Sequence, residues 1–433
     1  MNLLVTNTYA SPAYSIIRAL RPYANRIVAT LEGENRWEAR FSQAAYSRCV
    51  DKRYAVPSPG RDWRAGRIQR ENTPCEEAFV QALMRICEEQ RIDVIFPSLD
   101  PHVYVLSKNK GLFAGMGVTI PVPDYDTVLM ALDKYRTIQV AEQAGFPYPR
   151  TCLYEPREDL KGIAEQMGFP LVIKPRCSAG SRGMAIVKNY AELVKTLPVI
   201  VRNHGHPLIQ EYIPGKQRQT VDVLLDRNGD VLFAFQKKIL RNFRVTTQLV
   251  TVSESLPPDA HLHNSARLVQ KLGWWGSASV GTLCDPRDGV SKLMEINPRF
   301  SQQLWHRTEI GINEPWMSVQ VARKVAVEPV DAYPAGILLV SPIEDVQLLG
   351  LQVLDLLLYK YRSGMRTGNL TDPLSPPLSL RRQLRSFMQT YLSKQERVFD
   401  PYCRYFFQDP LVAILWWARF ATWILGTLKH LGK

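Results

Sequence analysis

Glu295 and Asn297 stand two residues apart in the run Leu293-Met-Glu-Ile-Asn-Pro-Arg299. If that run is a strand, both oxygen-bearing side chains face one way while Met294 and Ile296 face the core. Two adjacent oxygen donors suit Mg²⁺, which takes few protein ligands and shares its other positions with phosphate and water. Arg299 adds a fixed cation for an anionic substrate or a transferred phosphoryl group. The alternative is that Glu295 and Asn297 merely close a strand before a proline turn. A second chemical segment lies upstream: Lys174 ends the apolar run Phe169-Pro-Leu-Val-Ile-Lys-Pro175 and is followed by Cys177-Ser-Ala-Gly-Ser-Arg-Gly183. Small residues let backbone amides approach phosphate oxygens closely. This loop reads either as a phosphate-covering flap or as an ordinary Gly/Ser hairpin turn.

The elements that must position these groups are α/β in type. Over the first ~115 residues short apolar runs alternate with helical patterns, the mark of a parallel sheet layered with helices. Strands are expected at Asn2–Thr6, Arg26–Thr30 and Asp93–Phe96, with helices at Ala13–Leu20 and Glu76–Gln90. The first strand is followed by Asn7-Thr-Tyr-Ala-Ser-Pro12, without glycine, so the phosphate turn of a dinucleotide-binding fold is missing and NAD is excluded as a ligand. Prolines at 121 and 123 mark a boundary, after which Tyr125–Gly145 has the periodicity of one helix. Strand pairs follow at 206–212, 220–226 and 231–235, and residues 276–300 read as a hairpin around Asp285-Pro-Arg-Asp-Gly289. Beyond Pro342 the chain is leucine-rich and helical, interrupted by a polar linker at 364–377.

Taken in order, Asp133-Lys134, Phe169–Pro175, Gly180-Ser-Arg-Gly183, Gln210-Glu-Tyr-Ile213, Asp285–Gly289 and Glu295-Ile-Asn-Pro-Arg299 resemble the ATP-grasp superfamily. The nearest branch is that of carbamoyl phosphate synthetase large-subunit domains and carboxylate–amine ligases. The resemblance covers roughly residues 1–345. It implies a Rossmann-like N-terminal domain (1–117) and an ATP-grasp α+β domain (118–345); beyond it, the residue pattern adds a helical C-terminal region (346–410) and a terminal amphipathic helix (411–433). It further implies that Lys134 and Lys174 bind nucleotide phosphates, that Gln210, Glu211, Tyr212 and Ile213 form the hinge beside adenine, and that Ser178, Gly180, Ser181 and Gly183 belong to a flap over the triphosphate. Lys238 and Arg241 would face the γ-phosphate or an acyl phosphate, Glu295 and Asn297 would hold Mg²⁺, with Mn²⁺ as an alternative ion, and Arg299 would stand by the reacting carboxylate. The implied reaction activates a small carboxylate with ATP as an acyl phosphate, which an amine then displaces. Such phosphoryl transfer depends mainly on neutralising charge.

Two positions depart from the family pattern. Gly281 stands where a second metal carboxylate is expected, and Arg218, between Gln217 and Gln219, stands where an acidic ribose contact is expected. These departures keep a second reading open, that of a nucleotide-binding or regulatory module without turnover.

Composition narrows the remaining classes. The 433-residue chain is 45% hydrophobic and 22% charged, the range of ordinary folded proteins. Seven cysteines, odd in number and without C-x-x-C spacing, argue against a disulfide framework or a zinc site and for a reducing compartment, the cytoplasm. The start of the chain lacks the pattern of a secretory signal. The net charge of +13 favours polyanions in general, yet no nucleic-acid module accompanies it, so nucleic acid is not expected as a partner. In the tail, Leu411–Leu428 is apolar apart from Arg419 and carries Trp416, Trp417 and Trp423. Interfacial contact with an anionic membrane on its cytoplasmic face suits it better than spanning. Packing on the protein's own core or on a second subunit is the alternative, and a homodimer is left open.

Overall fold

The computed structural model describes residues 1–32, 42–60, 69–155, 159–178, 183–242, 250–350 and 380–418. Four parallel strands, β1 (Asn2–Val5), β2 (Arg26–Glu32), β3 (Lys52–Val56) and β4 (Val94–Phe96), form an N-terminal sheet in the order β3-β2-β1-β4. Helices Ser11–Leu20 and Pro74–Gln90 cover it, and Thr73 with Glu76 makes a capping box at the start of the second. β1, β2 and β4 are largely buried on both faces, which is why they read as apolar runs in the sequence, whereas the edge strand β3 is mostly exposed.

The helix expected over Tyr125–Gly145 is two helices, Tyr125–Leu132 and Lys134–Gln143. The break is at Asp133, whose extended backbone and side chain cap the second helix through the Tyr135 amide. Arg176 grips the same carboxylate through Nε at 3.1 Å and through Nη2.

Two further sheets follow. The small one holds β5 (Thr151–Leu153), β6 (Leu171–Pro175), β7 (Ala185–Val187) and β8 (Pro207–Glu211) in the order β5-β8-β6-β7. The large one holds β9 (Arg218–Leu225), β10 (Val231–Asn242), β11 (Val250–Ser255), β12 (Gly276–Cys284), β13 (Ser291–Asn297), β14 (Leu338–Val340) and β15 (Arg397–Phe399), ordered β13-β12-β9-β10-β11-β14-β15. One face of the large sheet presents Val221, Val223, Val280 and Ile296 to the helix Ala260–Lys271, whose Leu262, Ala266 and Val269 complete that core.

The C-terminal region is less separate than a boundary at 345/346 suggests. β15 extends the large sheet by pairing in parallel with β14, and helix 410–418 packs on the N-terminal sheet layer. Val412, Ala413 and Trp416 are buried, Trp416 stacking on Tyr402 at 4.6 Å, while Leu411, Ile414 and Trp417 remain exposed. Asp409 fixes the approach: its carboxylate accepts from Tyr14 and Ser47 hydroxyls at 2.8 Å and from Arg18 at 3.1 Å. Among the described residues no helix is long and apolar enough to cross a membrane. Residues 419–433 of the expected amphipathic helix lie outside the described residues.

Candidate nucleotide site

Lys174 and Glu295 come from different sheets and meet in the cleft between them. Every residue of β6 is buried, and Lys174 donates from Nζ to Gln210 Oε1 of neighbouring β8 at 2.7 Å. Gln210 in turn donates through Nε2 to the Thr151 hydroxyl at 2.8 Å, which fixes its orientation. Burial, reinforced by the charges of Lys134 and Arg218, lowers the Lys174 pKa to about 8. Lys134 opens its helix and donates from Nζ to the Ser178 carbonyl at 2.8 Å, at the entry to the glycine-rich loop. Gly183, at the exit, has φ +72°, and a Cβ there would collide with His204 and Pro175. Gly180 and Ser181 of the expected flap lie outside the described residues.

On the large sheet, strand register settles the facing. Glu295 pairs with Gly281 and Asn297 with Ser279, while Gly281 pairs with Thr220 and Ser279 with Asp222. Directly opposed residues share a face, so Glu295, Asn297, Thr220, Asp222 and, two residues before Thr220, Arg218 form one surface. Burial alone would raise the Glu295 pKa; Lys134, Arg218, Lys174 and Arg299 together hold it below the ordinary carboxylate value. Arg299 is oriented by Asp100 of the N-terminal domain, with Nε to Oδ1 at 2.8 Å, and its Nη2 donates to Asn297 Oδ1 at 3.1 Å.

The residues expected as a hinge, Gln210 to Ile213, end β8 and continue past it, and Gln210 meets Lys174 directly. Glu211 is buried and accepts from the Arg150 amide at 3.0 Å and from Arg287 at 3.1 Å. Although burial acts to raise it, the Arg150 amide, Lys292 and Arg287 keep its pKa below the usual carboxylate value. Ile213 is buried, and the Tyr212 amide donates to the Pro170 carbonyl at 3.3 Å. Two residues on, Gly215 passes so close to the Cys284 carbonyl that any Cβ would overlap it. Asp285 belongs to the turn, holding Lys292 at 2.8 Å and Arg287 at 2.5 Å.

Lys238 and Arg241 are not brought to this surface. Lys237 opposes Thr220 and shares the site face, so Lys238 points to the other side, where it pairs with Glu254 at 2.8 Å. Arg241, beyond an irregularity in β10, turns to Asp345 at 2.6 Å and to Ser386 at 2.8 Å. A run of consecutive basic residues gives no sign of its facing until the register is known. What lies on the site face instead is a buried network that the sequence did not single out. Lys237 contacts Asp222 at 3.0 Å, and Arg307 contacts Asp222 at 2.5 Å and also Glu314. Burial would raise the Asp222 pKa, but Lys237 and Arg307 drive it well below the usual range. His306 is fully buried, with Nδ1 at 2.6 Å from the Gln303 carbonyl and its ring 4.2 Å from Phe235. Burial and the neighbouring cations Arg307 and Lys237 push its pKa far down, so the ring is neutral.

The donor set fits one divalent ion. Glu295 supplies a carboxylate, while Asn297 already accepts from Arg299. Gly281, opposite, supplies nothing. Among the described residues no group of three or more His, Cys, Asp or Glu could hold a metal. One ion on Glu295 would need oxygens from phosphate and water to complete its shell.

Two sheets closing on a cleft lined by cations, preceded by a parallel α/β layer, define an ATP-grasp architecture. Residues 131–303 match the family model described as ATP-grasp domain, so this part of the chain carries an ATP-grasp domain. Among curated proteins it is similar to the D-alanine--D-alanine ligase of Stutzerimonas stutzeri (strain A1501), at 28% identity over 229 residues, covering 50% of this chain and 70% of that protein. It is also similar to the carbamoyl phosphate synthase large chain of Xylella fastidiosa (strain 9a5c), at 27% identity over 199 residues, which cover 43% of this chain and 18% of that protein. Among solved structures, the biotin carboxylase domain dimer of the Hydrogenobacter thermophilus 2-oxoglutarate carboxylase, in complex with MgADP, ADP and bicarbonate, superposes with a TM-score of 0.58. That match is 19% identical and covers 76% of this chain and 70% of that one, so it speaks to the fold.

Proposed function

We propose that this protein is an ATP-dependent ligase that activates a small carboxylate as an acyl phosphate and couples it to an amine. The observation that carries the reading is the convergence of Lys134, Lys174, Arg218 and Arg299 on Glu295. Such a cradle offsets the charge of a triphosphate and of the phosphoryl group in transfer, where positioning and electrostatics supply most of the acceleration. In this reading Lys134 and Lys174 bind phosphates, the backbone at Gln210–Ile213 lies beside the base, the loop from Ser178 to Gly183 covers the phosphates, and Arg299 meets the carboxylate. Glu295 holds the single Mg²⁺ that the donor set allows. The relatives' names support this reading: a ligase and a synthase sit among the curated proteins, and MgADP with bicarbonate in a solved neighbour. A cytoplasmic location accords with seven cysteines, an odd number without C-x-x-C spacing.

Hydroxylamine trapping tests the proposal without knowledge of the amine. Incubation with ATP, Mg²⁺ and a panel of small carboxylates should release phosphate and form a hydroxamate with at least one of them. Phosphate release without hydroxamate across the panel would turn the reading toward simple nucleotide hydrolysis, and neither product would favour the regulatory module. The half-exposed Leu411, Ile414 and Trp417 favour a second property, peripheral contact with an anionic membrane. Co-sedimentation with phosphatidylserine vesicles, abolished by Trp417→Ser with Ile414→Ser, is the check.

A further inference from the structure

Arg218 opens β9 on the site face of the large sheet, opposite Leu283 of β12 and diagonal to Gly281. Gly281 carries no side chain between Arg218 and Glu295, and the nearest atom to a Cβ built there is Glu295 Cγ at 3.5 Å. Around Gly281 the face therefore brings together one carboxylate, Glu295, and one guanidinium where two carboxylates would make a cation site; Asp222, farther along the face, is taken up by Lys237 and Arg307. We propose that Arg218 serves as an internal cation of the polyphosphate site, so that the site takes a nucleoside triphosphate together with at most one divalent ion and binds it even with none. The inference rests on the nucleotide site proposed above and deepens it.

Three observations support it. Arg218 is partly buried and faces Glu295, whose charge acts against the desolvation that lowers the pKa of its guanidinium. A guanidinium stays charged under such burial, unlike an ammonium, and offers a planar set of donors matched to phosphate oxygens. The charge count around the cleft agrees: Lys134, Lys174, Arg218 and Arg299 converge on Glu295, while Asp222 on the same face is already paired with Lys237 and Arg307, and Asp100 is bound to Arg299 Nε. A cleft with this surplus neutralises most of a triphosphate by itself. Buried cations with no anion between them would repel one another, so Glu295 holds the group together until phosphate arrives.

Calorimetric titration of the whole protein with a non-hydrolysable ATP analogue, in EDTA and in Mg²⁺, tests this. The expected result is binding in EDTA within about tenfold of that in Mg²⁺, because fixed cations rather than the ion carry the charge compensation. Arg218→Gln should weaken binding in EDTA by about tenfold or more and binding in Mg²⁺ by less, and Arg218→Lys should recover part of the loss, since a charge-assisted contact is restored without its fork geometry. Wild-type binding that is strong in Mg²⁺ and absent in EDTA would overturn the inference while leaving the nucleotide site standing. Unchanged EDTA affinity in a folded Arg218→Gln protein would overturn it as well. No binding in either condition would remove the nucleotide site itself and this inference with it. The wild-type comparison decides the matter even if the glutamine variant does not fold.

Discussion

Gly281 lies directly opposite Glu295 across the β12–β13 pair, and nothing but Glu295 itself lies within ordinary contact of the space a Cβ at 281 would enter. The backbone at 281 is not left-handed, so no conformational demand for glycine applies there. The glycine leaves Glu295 as the carboxylate on which Lys134, Lys174, Arg218 and Arg299 converge, and that ratio sets how this part of the cleft handles charge.

Gly281→Glu should therefore be accommodated and should make nucleotide binding depend on Mg²⁺. A second carboxylate beside Glu295 subtracts charge from the cradle and adds a ligand for an ion. Binding in EDTA should fall about tenfold or more, while binding in Mg²⁺ should hold or improve. Calorimetry in the two buffers reads this directly, and an unchanged ratio would show that the new carboxylate does not face the phosphates.

Lys174 predicts a pH dependence. Its pKa in the free protein is about 8, below the ordinary 10.5, and a bound polyanion would pull it back up. Affinity for the ATP analogue should be greatest below pH 8 and fall as pH rises above it, with proton uptake on binding. In the free protein the unfolded chain holds this proton more tightly, so between about pH 8 and 10.5 stability contributed by this group rises with pH. Lys174→Met should remove the pH-dependent part of binding and weaken affinity by about a hundredfold, through loss of a charged contact.

Asp100 acts on the site through Arg299. Asp100→Asn loses the charge that orients Nε of Arg299 while keeping the shape of the side chain. Nucleotide affinity should stay within about twofold, and the rate of hydroxamate formation should drop about tenfold or more, since a misplaced group costs rate more than binding. Equal losses in both would instead place Arg299 on the nucleotide.

Arg307 tests the buried network. It is fully enclosed and pairs with both Asp222 and Glu314, so Arg307→Leu leaves two carboxylates buried together with Lys237 as the nearby cation. Stability should fall by about 3–5 kcal/mol, measured by urea unfolding. Adding Glu314→Gln should recover part of that loss, because the second uncompensated charge is then gone.

The comparison between sequence and structure divides along physical lines. The shared face of Glu295 and Asn297 was readable from their two-residue spacing in a strand, and the strand positions of Lys174 and Gln210 from the short apolar runs that hold them. Three strands of the parallel N-terminal sheet were legible as short apolar runs separated by helical periodicity, whereas the exposed edge strand Lys52–Val56 was not. Lys238 and Lys237 were not distinguishable, since choosing between neighbours requires knowing which face of β10 the partner strands leave to the cleft. The single helix read over 125–145 failed at Asp133, where a capping carboxylate and a distant Arg176 outweigh the periodicity around them.

Local patterning thus determined the strands, the glycine-rich loop, the order of motifs and the absence of an acid at 281. Tertiary structure decided everything that depends on residues far apart in the chain. Asp100 steers Arg299 from 199 positions away, and Asp409 ties helix 410–418 to Tyr14 from 395 positions away. Arg218 took its meaning only when β9 was laid beside β12 and its guanidinium came to face Glu295. Covalent neighbours set the backbone's preferences, whereas the field at a buried charge is set by whatever the fold brings within a few ångströms of it.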